Sequence, residues 1–198
     1  MTDRGERVPS RFEASGDFVS RLEGPQRREA IPPEVVVSRM RLSEDDVVVD
    51  LGAGTGYFAF PIAGRVREVL ALDIERKMLD LLRGRALANG VGNIDLLRSD
   101  MSALPVADSS ADHVLAAFVY HEAEDPGTLL SECARVLRPS GRLTVVDFQK
   151  RETPMGPPVS ERKTPGEVRS AAKGAFREES AHSEQVYYQL IFSKKHGR

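Results

Sequence analysis

Residues 47–57 read Val47-Val48-Val49-Asp50-Leu51-Gly52-Ala53-Gly54-Thr55-Gly56-Tyr57, and the architecture follows from them. Three consecutive valines are typical of a strand that is buried on both faces of a parallel sheet. The alternating glycines let the backbone turn sharply and come close to a ligand. We expect a helix over residues 57–63, delayed or bent by Pro61, whose N-terminus points its free N–H groups into the same space.

The same alternation of apolar strands and amphipathic helices continues on both sides of this stretch. Further strands are predicted at residues 69–73, 94–97, 113–119 and 143–148, and helices at residues 33–40, 75–89 and 126–137. Pro139-Ser140-Gly141 is expected to turn the chain into the last of these strands. The pattern predicts an α/β fold with one parallel sheet and helices on both faces.

The last fifty residues have a different pattern. A stiff loop at residues 153–158 is followed by a predicted short helix at residues 167–173 and a clear period-2 strand at residues 186–193. Residues 176–184 are too polar for a firm assignment, and a strand leading into a terminal hairpin is the alternative we consider. The period-2 pattern favours an antiparallel pair.

Composition limits the class of protein. The chain has 198 residues, a formal net charge of −2 and one cysteine, Cys133, which we expect in the core. It therefore offers no basic face for nucleic acid, no disulfide, and no cysteine or histidine spacing typical of a metal site. No apolar run is long enough to span a membrane, so we expect a cytoplasmic protein. Residues 1–31 are expected to form a polar cap segment, in which Phe12, Phe18, Val19 and Leu22 could make a short helix over the main domain at residues 32–198.

Three acidic residues follow predicted strands. In an open parallel sheet, ligands bind beyond the carboxyl ends of the strands. Asp50 precedes the first glycine, where a carboxylate suits a ligand with an ammonium and a sulfonium group. Asp73 ends the second strand, the usual position for an acid that accepts hydrogen bonds from ribose hydroxyls. Asp100 follows the third strand and could accept from an adenine amino group or start a turn.

In these segments the chain resembles the class I S-adenosylmethionine-dependent methyltransferases, and more narrowly their UbiE-like, type 11 branch. The matching segments, in the order that the family has them, are residues 47–57, Leu72-Asp73-Ile74 with Met78, Ser99-Asp100-Met101, residues 104–108 and residues 135–143. They cover roughly residues 32–150. The resemblance implies a Rossmann-like three-layer sandwich with a mostly parallel seven-stranded sheet and an antiparallel C-terminal strand.

The resemblance also implies a cofactor, S-adenosyl-L-methionine, with S-adenosyl-L-homocysteine as product. Asp50 and the glycine backbone would lie along its methionine part, Asp73 would hold the ribose, Asp100 and Met101 would contact the adenine, and Phe118 would lie near the methyl group. The residues implied in cofactor binding are Asp50, Gly52, Ala53, Gly54, Thr55, Gly56, Tyr57, Asp73, Ile74, Met78, Asp100, Met101 and Phe118. For Met78, simple helix packing is the stronger alternative.

His121 and Glu122 follow strand four, on the side where an acceptor should bind. They are our candidates for substrate contact or proton removal. Alternatively, His121 bonds within its loop and Glu122 caps the next helix. Asp147 and Gln149, at the end of strand five, are candidates for the same roles, with a structural role as the alternative.

The predicted function is methyl transfer to a small-molecule acceptor by in-line displacement. The Pro-Pro-Tyr motif of nucleic-acid amino-methylating relatives is replaced by Ala117-Phe118-Val119-Tyr120-His121, and one cysteine excludes arsenite chemistry. The sequence assigns neither the acceptor nor the oligomeric state. Two alternatives are a nicotinamide-dependent oxidoreductase, whose third fingerprint glycine would replace Tyr57, and a non-catalytic S-adenosylmethionine-binding protein.

Overall fold

The computed structural model describes residues 22–195, in which strands and helices mostly alternate as far as the last helix, except that two helices precede β1 and that β4 follows β3 directly. The strands are β1 (Val47–Leu51), β2 (Glu68–Asp73), β3 (Ile94–Arg98), β4 (Ala111–Ala117), β5 (Leu137–Phe148), β6 (Phe176–Ser183) and β7 (Tyr187–Lys194). The helices are α1 (Pro25–Ala30), α2 (Pro33–Arg39), α3 (Ala59–Ala63), α4 (Arg76–Ala88), α5 (Pro126–Val136) and α6 (Pro165–Ala172), with 3-10 turns at Tyr120–Glu122 and Val159–Glu161.

All seven strands join one sheet in the order β3-β2-β1-β4-β5-β7-β6. Neighbours among β1 to β5 run parallel, whereas β7 lies between β5 and β6 and is antiparallel to both. This confirms the predicted mostly parallel sheet with an antiparallel C-terminal strand. Because β1 is central, Asp50 lies opposite Ala71 of β2 and Leu115 of β4. The loops beyond the carboxyl ends of these strands share one edge of the sheet.

Two apolar layers fill the space between the sheet and its helices. On one face α2, α3 and α4 contribute fully buried side chains such as Val36, Ile62 and Leu82. On the other face α5 and α6 contribute residues such as Cys133 and Val168. Burial raises the pKa of the Cys133 thiol to about 12, which confirms a core cysteine. Within residues 22–195 the structure contains no helix long and apolar enough to cross a membrane.

Local sequence sets several boundaries that differ from the predicted ones. Helix α3 begins only at Ala59, which leaves Pro61 in its first turn, where a missing N–H costs nothing. Helix α6 begins two residues earlier than predicted because Thr164 and Glu167 form a reciprocal capping box around it. Strand β4 ends at Ala117 rather than at residue 119, since Phe118 has a φ of +59° and leaves the extended conformation.

Strand β5 is twice as long as predicted. Leu137 pairs with Ala111 of β4, and the next paired residue, Arg142, pairs with His113. Residues 138–141 therefore form a bulge opposite the single residue Asp112. The predicted Pro139-Ser140-Gly141 turn is therefore this bulge inside the strand.

The ends of the chain add two elements. Residues 176–183 do form a strand, β6, at the sheet edge. Helix α1 was not predicted. Of the predicted N-terminal helix, Phe12, Phe18 and Val19 lie outside the described residues.

Candidate active site

The glycine loop between β1 and α3 is held in a conformation that L side chains rarely adopt. Gly52, Gly54 and Gly56 have φ values of +63°, +54° and +93°. A Cβ added at Gly52 would overlap Cγ1 of Val119, the residue that follows Phe118. The loop therefore needs glycine both for its backbone angles and for its contact with the segment after β4.

Asp73 ties this loop to the end of β2. Its Oδ2 accepts a hydrogen bond from the Gly54 N–H (2.8 Å) and its Oδ1 accepts one from the Glu75 N–H (2.8 Å). Burial raises the pKa of Asp73 more than these two bonds lower it. Each carboxylate oxygen has a further lone pair and can accept a second hydrogen bond, for example from a hydroxyl group.

Asp50, at the end of β1, is 2% exposed, and its Oδ2 has no hydrogen-bond partner in the described part of the chain. Burial, together with the negative charge of Asp73, raises the pKa of Asp50 to about 8. A buried carboxyl without a partner is costly for the fold. A cationic ligand group bound at this point would supply the missing partner and favour the ionised form of Asp50.

An open cleft of about 420 Å³ continues from Asp73 toward β3. It is lined by Ile74, Arg98, Ser99, Asp100, Ala103 and Pro105. Ile74 is 57% exposed there, a large apolar surface beside the acid that ends β2. An apolar side chain next to carboxylates is the surface that a nucleoside needs, because the base packs on it while the hydroxyls bond.

Asp100 and Met78 differ in accessibility. The exposed Asp100 accepts from both the hydroxyl (2.5 Å) and the N–H (2.8 Å) of Ser102 through Oδ1, and these bonds lower its pKa. It thus holds a turn and remains on the cleft wall. Met101 is half-buried against the core, and Met78 is 4% exposed on the packed face of α4.

An aromatic cluster lies beyond the carboxyl end of β4. The Phe118 ring lies 4.5 Å from the Phe148 ring and 6.2 Å from the Phe58 ring, measured between centroids. The guanidinium of Arg27, from α1, lies 4.9 Å from the Tyr57 ring centroid and 5.1 Å from that of Phe118. The Tyr57 hydroxyl donates to the Ile31 carbonyl (2.8 Å), which fixes the chain after α1 against the loop.

His121 and Asp147 form a buried pair beside this cluster. Nδ1 of His121 lies 2.8 Å from Oδ1 of Asp147, and Oδ2 of Asp147 accepts from the His121 N–H (3.1 Å). Burial lowers the pKa of His121, but the hydrogen bond and charge of Asp147, with smaller effects of Glu122 and Glu161, raise it above its ordinary value. Nε2 lies 3.8 Å from Oε1 of Glu122. Helix α5 is capped by Asp125, so the alternative in which Glu122 is its cap is wrong.

Comparison with known proteins agrees with this geometry. Residues 49–145 match the model of a family described as a methyltransferase domain. A malonyl-[acyl-carrier protein] O-methyltransferase of Methylococcus capsulatus is 44% identical over 108 residues, which are 51% of this chain and 37% of that protein. A ubiquinone/menaquinone biosynthesis C-methyltransferase UbiE of Hahella chejuensis is 37% identical over 112 residues, 54% of this chain and 45% of that protein.

Residues 49–145 of this chain are thus similar to a methyltransferase domain, and the chain resembles the methyltransferases of the UbiE-like branch. It spans less than half the length of these two curated relatives. A solved S-adenosylmethionine-dependent methyltransferase from Aquifex aeolicus has the same fold, with a TM-score of 0.84, 24% identity, and coverage of 92% of this chain and all of that one.

The methyltransferase cofactor fits the residues present. Within the described residues, Oδ2 of Asp50, before the glycine loop, and the buried hydroxyl of Thr55, inside it, have no hydrogen-bond partner, and the resemblance implies the methionine part there. It implies the ribose at Asp73 and the adenine at Asp100 and Met101. The predicted residues thus gather along one edge of the sheet, from Asp100 through Asp73 and the loop to Phe118 and His121.

The sequence reasoning missed two residues. Arg27 gave no signal, because it is one of several arginines in a polar stretch. Arg162 is 3% exposed and donates to the carbonyls of residues 149, 151, 155 and 157 and to the Thr153 hydroxyl. The proline-rich loop could have indicated Arg162, because the backbone carbonyls of a packed loop need hydrogen-bond donors.

Proposed function

We propose that this chain transfers a methyl group from S-adenosylmethionine to a small-molecule acceptor. The observation that supports it most directly is the glycine loop tied to Asp73 beside the unpartnered, buried carboxyl of Asp50. The curated relatives are methyltransferases as whole proteins, and this chain matches only part of each. The activity is therefore inferred from the site together with the family.

The residues divide into three groups by what they would contact. Asp73 would accept from the ribose hydroxyls, while Ile74, Asp100 and Met101 would border the adenine, with Met78 packed beneath. Asp50 would face the ammonium group, along the backbone from Gly52 to Tyr57. When bound, the cofactor supplies a methyl group already activated by a sulfonium.

The aromatic cluster would bind and orient the acceptor. Phe58, Phe118 and Phe148 form an apolar wall that excludes water next to the glycine loop. Such a wall favours an acceptor with a flat apolar part, held in line for displacement. The net charge of −2 favours a small molecule over a nucleic acid.

His121 would accept a proton where the acceptor has to lose one. Asp147 orients the ring through Nδ1 and stabilises its protonated form, which leaves Nε2 as the proton-accepting atom. Glu122 lies beside Nε2 and would carry the proton onward. Because the pKa of His121 is raised, we expect turnover that uses this base to increase as pH rises through that pKa.

Calorimetric titration with S-adenosylmethionine, S-adenosylhomocysteine and NADH tests the cofactor. We expect saturable binding of the two adenosyl ligands alone. The Asp73→Ala variant should weaken it by roughly 1–3 kcal/mol, as for charged hydrogen bonds lost in a site. Asp95→Ala, which removes an exposed acid from the neighbouring β3, should leave it unchanged.

The outcomes separate the candidate functions. Binding of NADH alone would refute the proposal and favour the oxidoreductase. Tight adenosyl binding, with no methyl transfer to any fraction of a metabolite extract, would favour the non-catalytic binding protein. Unchanged affinity in a folded Asp73→Ala variant would remove Asp73 from the site.

A further inference from the structure

Arg27 is a half-buried cation that lies over the aromatic cluster of the site and has no ion-pair partner among residues 22–195. Its Nε is buried and has no hydrogen-bond partner, and no carboxylate in residues 22–195 lies within ion-pair distance of it. Burial lowers the pKa of Arg27, and the neighbouring Tyr57 offsets this only in part. The next residue, Arg28, is exposed and pairs with Glu34 at 3.9 Å.

The position of Arg27 points to the methionine end of the site. Its guanidinium lies over the rings of Tyr57 and Phe118. Tyr57 ends the glycine loop, and the residue after Phe118 occupies the space beside Gly52. Arg27 thus closes the gap between the loop and the end of β4.

Asp50 lies near the end of β1, just before the glycine loop. Because side chains alternate along a strand, it lies on the same face of the sheet as Val48, in the layer that also contains Tyr57 and Phe118, and its Oδ2 is buried without a hydrogen-bond partner among residues 22–195. Asp50 and Arg27 form no ion pair with each other within residues 22–195, and burial and the charge of Asp73 raise the pKa of Asp50. A ligand with one positive and one negative group would supply a partner to both.

We propose that Arg27 binds the α-carboxylate of the cofactor's amino-acid end, opposite Asp50, so that α1 closes over the bound zwitterion. This inference rests on the proposed function. A guanidinium donates two parallel hydrogen bonds to a planar carboxylate, and the two aromatic faces hold its plane in place. The described part of the cap segment thereby acquires a role in cofactor binding.

The test compares two probes that differ in the amino-acid end. S-adenosylhomocysteine carries it, and 5′-methylthioadenosine lacks it. The R27Q variant should bind S-adenosylhomocysteine about 10- to 100-fold more weakly than the wild type, the effect expected of charge-assisted hydrogen bonds. Its affinity for methylthioadenosine should change less than about twofold, the range of an unaffected contact.

R83Q is the matched control, because it removes the same charge at an exposed position of α4. It should bind both probes as the wild type does. R27K retains the charge without the planar fork and should fall between R27Q and the wild type with S-adenosylhomocysteine. It also provides the comparison if R27Q does not fold.

Each outcome has a distinct meaning. A wild type that binds neither probe refutes the proposed function itself. If the wild type binds S-adenosylhomocysteine and R27Q and R27K bind it equally well, only the role of Arg27 is overturned. Equal weakening of both probes also overturns it, because Arg27 would then organise the site and not contact a carboxylate.

Discussion

Asp50→Asn removes the titratable carboxyl at which we propose that the ammonium group of the cofactor binds. With a pKa of about 8, Asp50 is about 1% ionised at pH 6 and about a quarter ionised at pH 7.5. An ammonium group binds the ionised form. The affinity of the wild type for S-adenosylhomocysteine should therefore rise up to about 20-fold between these two pH values. Asparagine does not titrate, so the variant should show a flat profile near the low-pH affinity.

Calorimetry at pH 6, 6.5, 7 and 7.5 measures this profile. At pH 7 the wild type should release close to one proton on binding, so the apparent enthalpy will depend on the ionisation enthalpy of the buffer. Asp95→Asn, on the exposed side of β3, is the control and should keep the wild-type slope. A wild-type affinity independent of pH, or an Asp50→Asn variant with the wild-type slope, would refute the reasoning.

Stability should change in the opposite direction. An acid whose folded-state pKa is raised contributes stability below its unfolded pKa, and this is lost as pH rises through the folded pKa. For Asp50 the window extends from about 4 to about 8, at up to about 1.4 kcal/mol per pH unit. Asp50→Asn should therefore unfold at a higher temperature than the wild type at pH 7.5, while binding the ligand more weakly.

Three further predictions concern the fold around the site. Gly52→Ala should lower the free energy of unfolding by about 2–4 kcal/mol, because it adds overlap with Val119 to a strained backbone. The control, Gly90→Ala, has a similar positive φ in open space and should lower it by only about 1–2 kcal/mol. Equal losses in denaturant unfolding would contradict the role of the Val119 contact. Arg162→Lys should cost about 2–4 kcal/mol, because one ammonium cannot reach the five acceptors that the guanidinium serves; an unchanged denaturation midpoint would argue against this. His121→Gln should lower the free energy of unfolding more at pH 5.5 than at pH 8.5. The folded-state pKa of His121 is raised, so the histidine stabilises the fold below its unfolded-state pKa and this stability is lost as pH rises through the folded-state pKa. Equal losses at both pH values would exclude this dependence on protonation.

The parallel half of the sheet could be predicted because its signals are local. The run Val47–Val49 is apolar throughout, and the three glycines follow at once, so strand and turn are both fixed by adjacent residues. Asp50 and Asp73 could be predicted for the same reason, since each ends a buried strand. The edge strand β6 could not be assigned firmly, because most of its side chains face solvent and leave no apolar pattern.

The contacts that complete the site escaped prediction because they join residues distant in sequence. Arg27 meets Tyr57 across 30 residues and Phe118 across 91, and neither distance leaves a periodic signal. The pair of His121 and Asp147 is similar, although both residues were candidates separately. Their contact depends on β4 and β5 being parallel neighbours, which places the two strand ends side by side.

Asp50 and Arg27 present related problems at the two sides of the amino-acid subsite. Each has a buried polar atom without a hydrogen-bond partner in the described residues, Oδ2 of the acid and Nε of the arginine, and each lowers the stability of the ligand-free fold. A ligand with a single charge would relieve only one of them, whereas a zwitterion relieves both without changing the net charge of the site. The nucleoside end, which we propose binds at Asp73 and Ile74, would touch neither group. The amino-acid end is therefore where we expect this chain to distinguish its cofactor from other adenosine compounds.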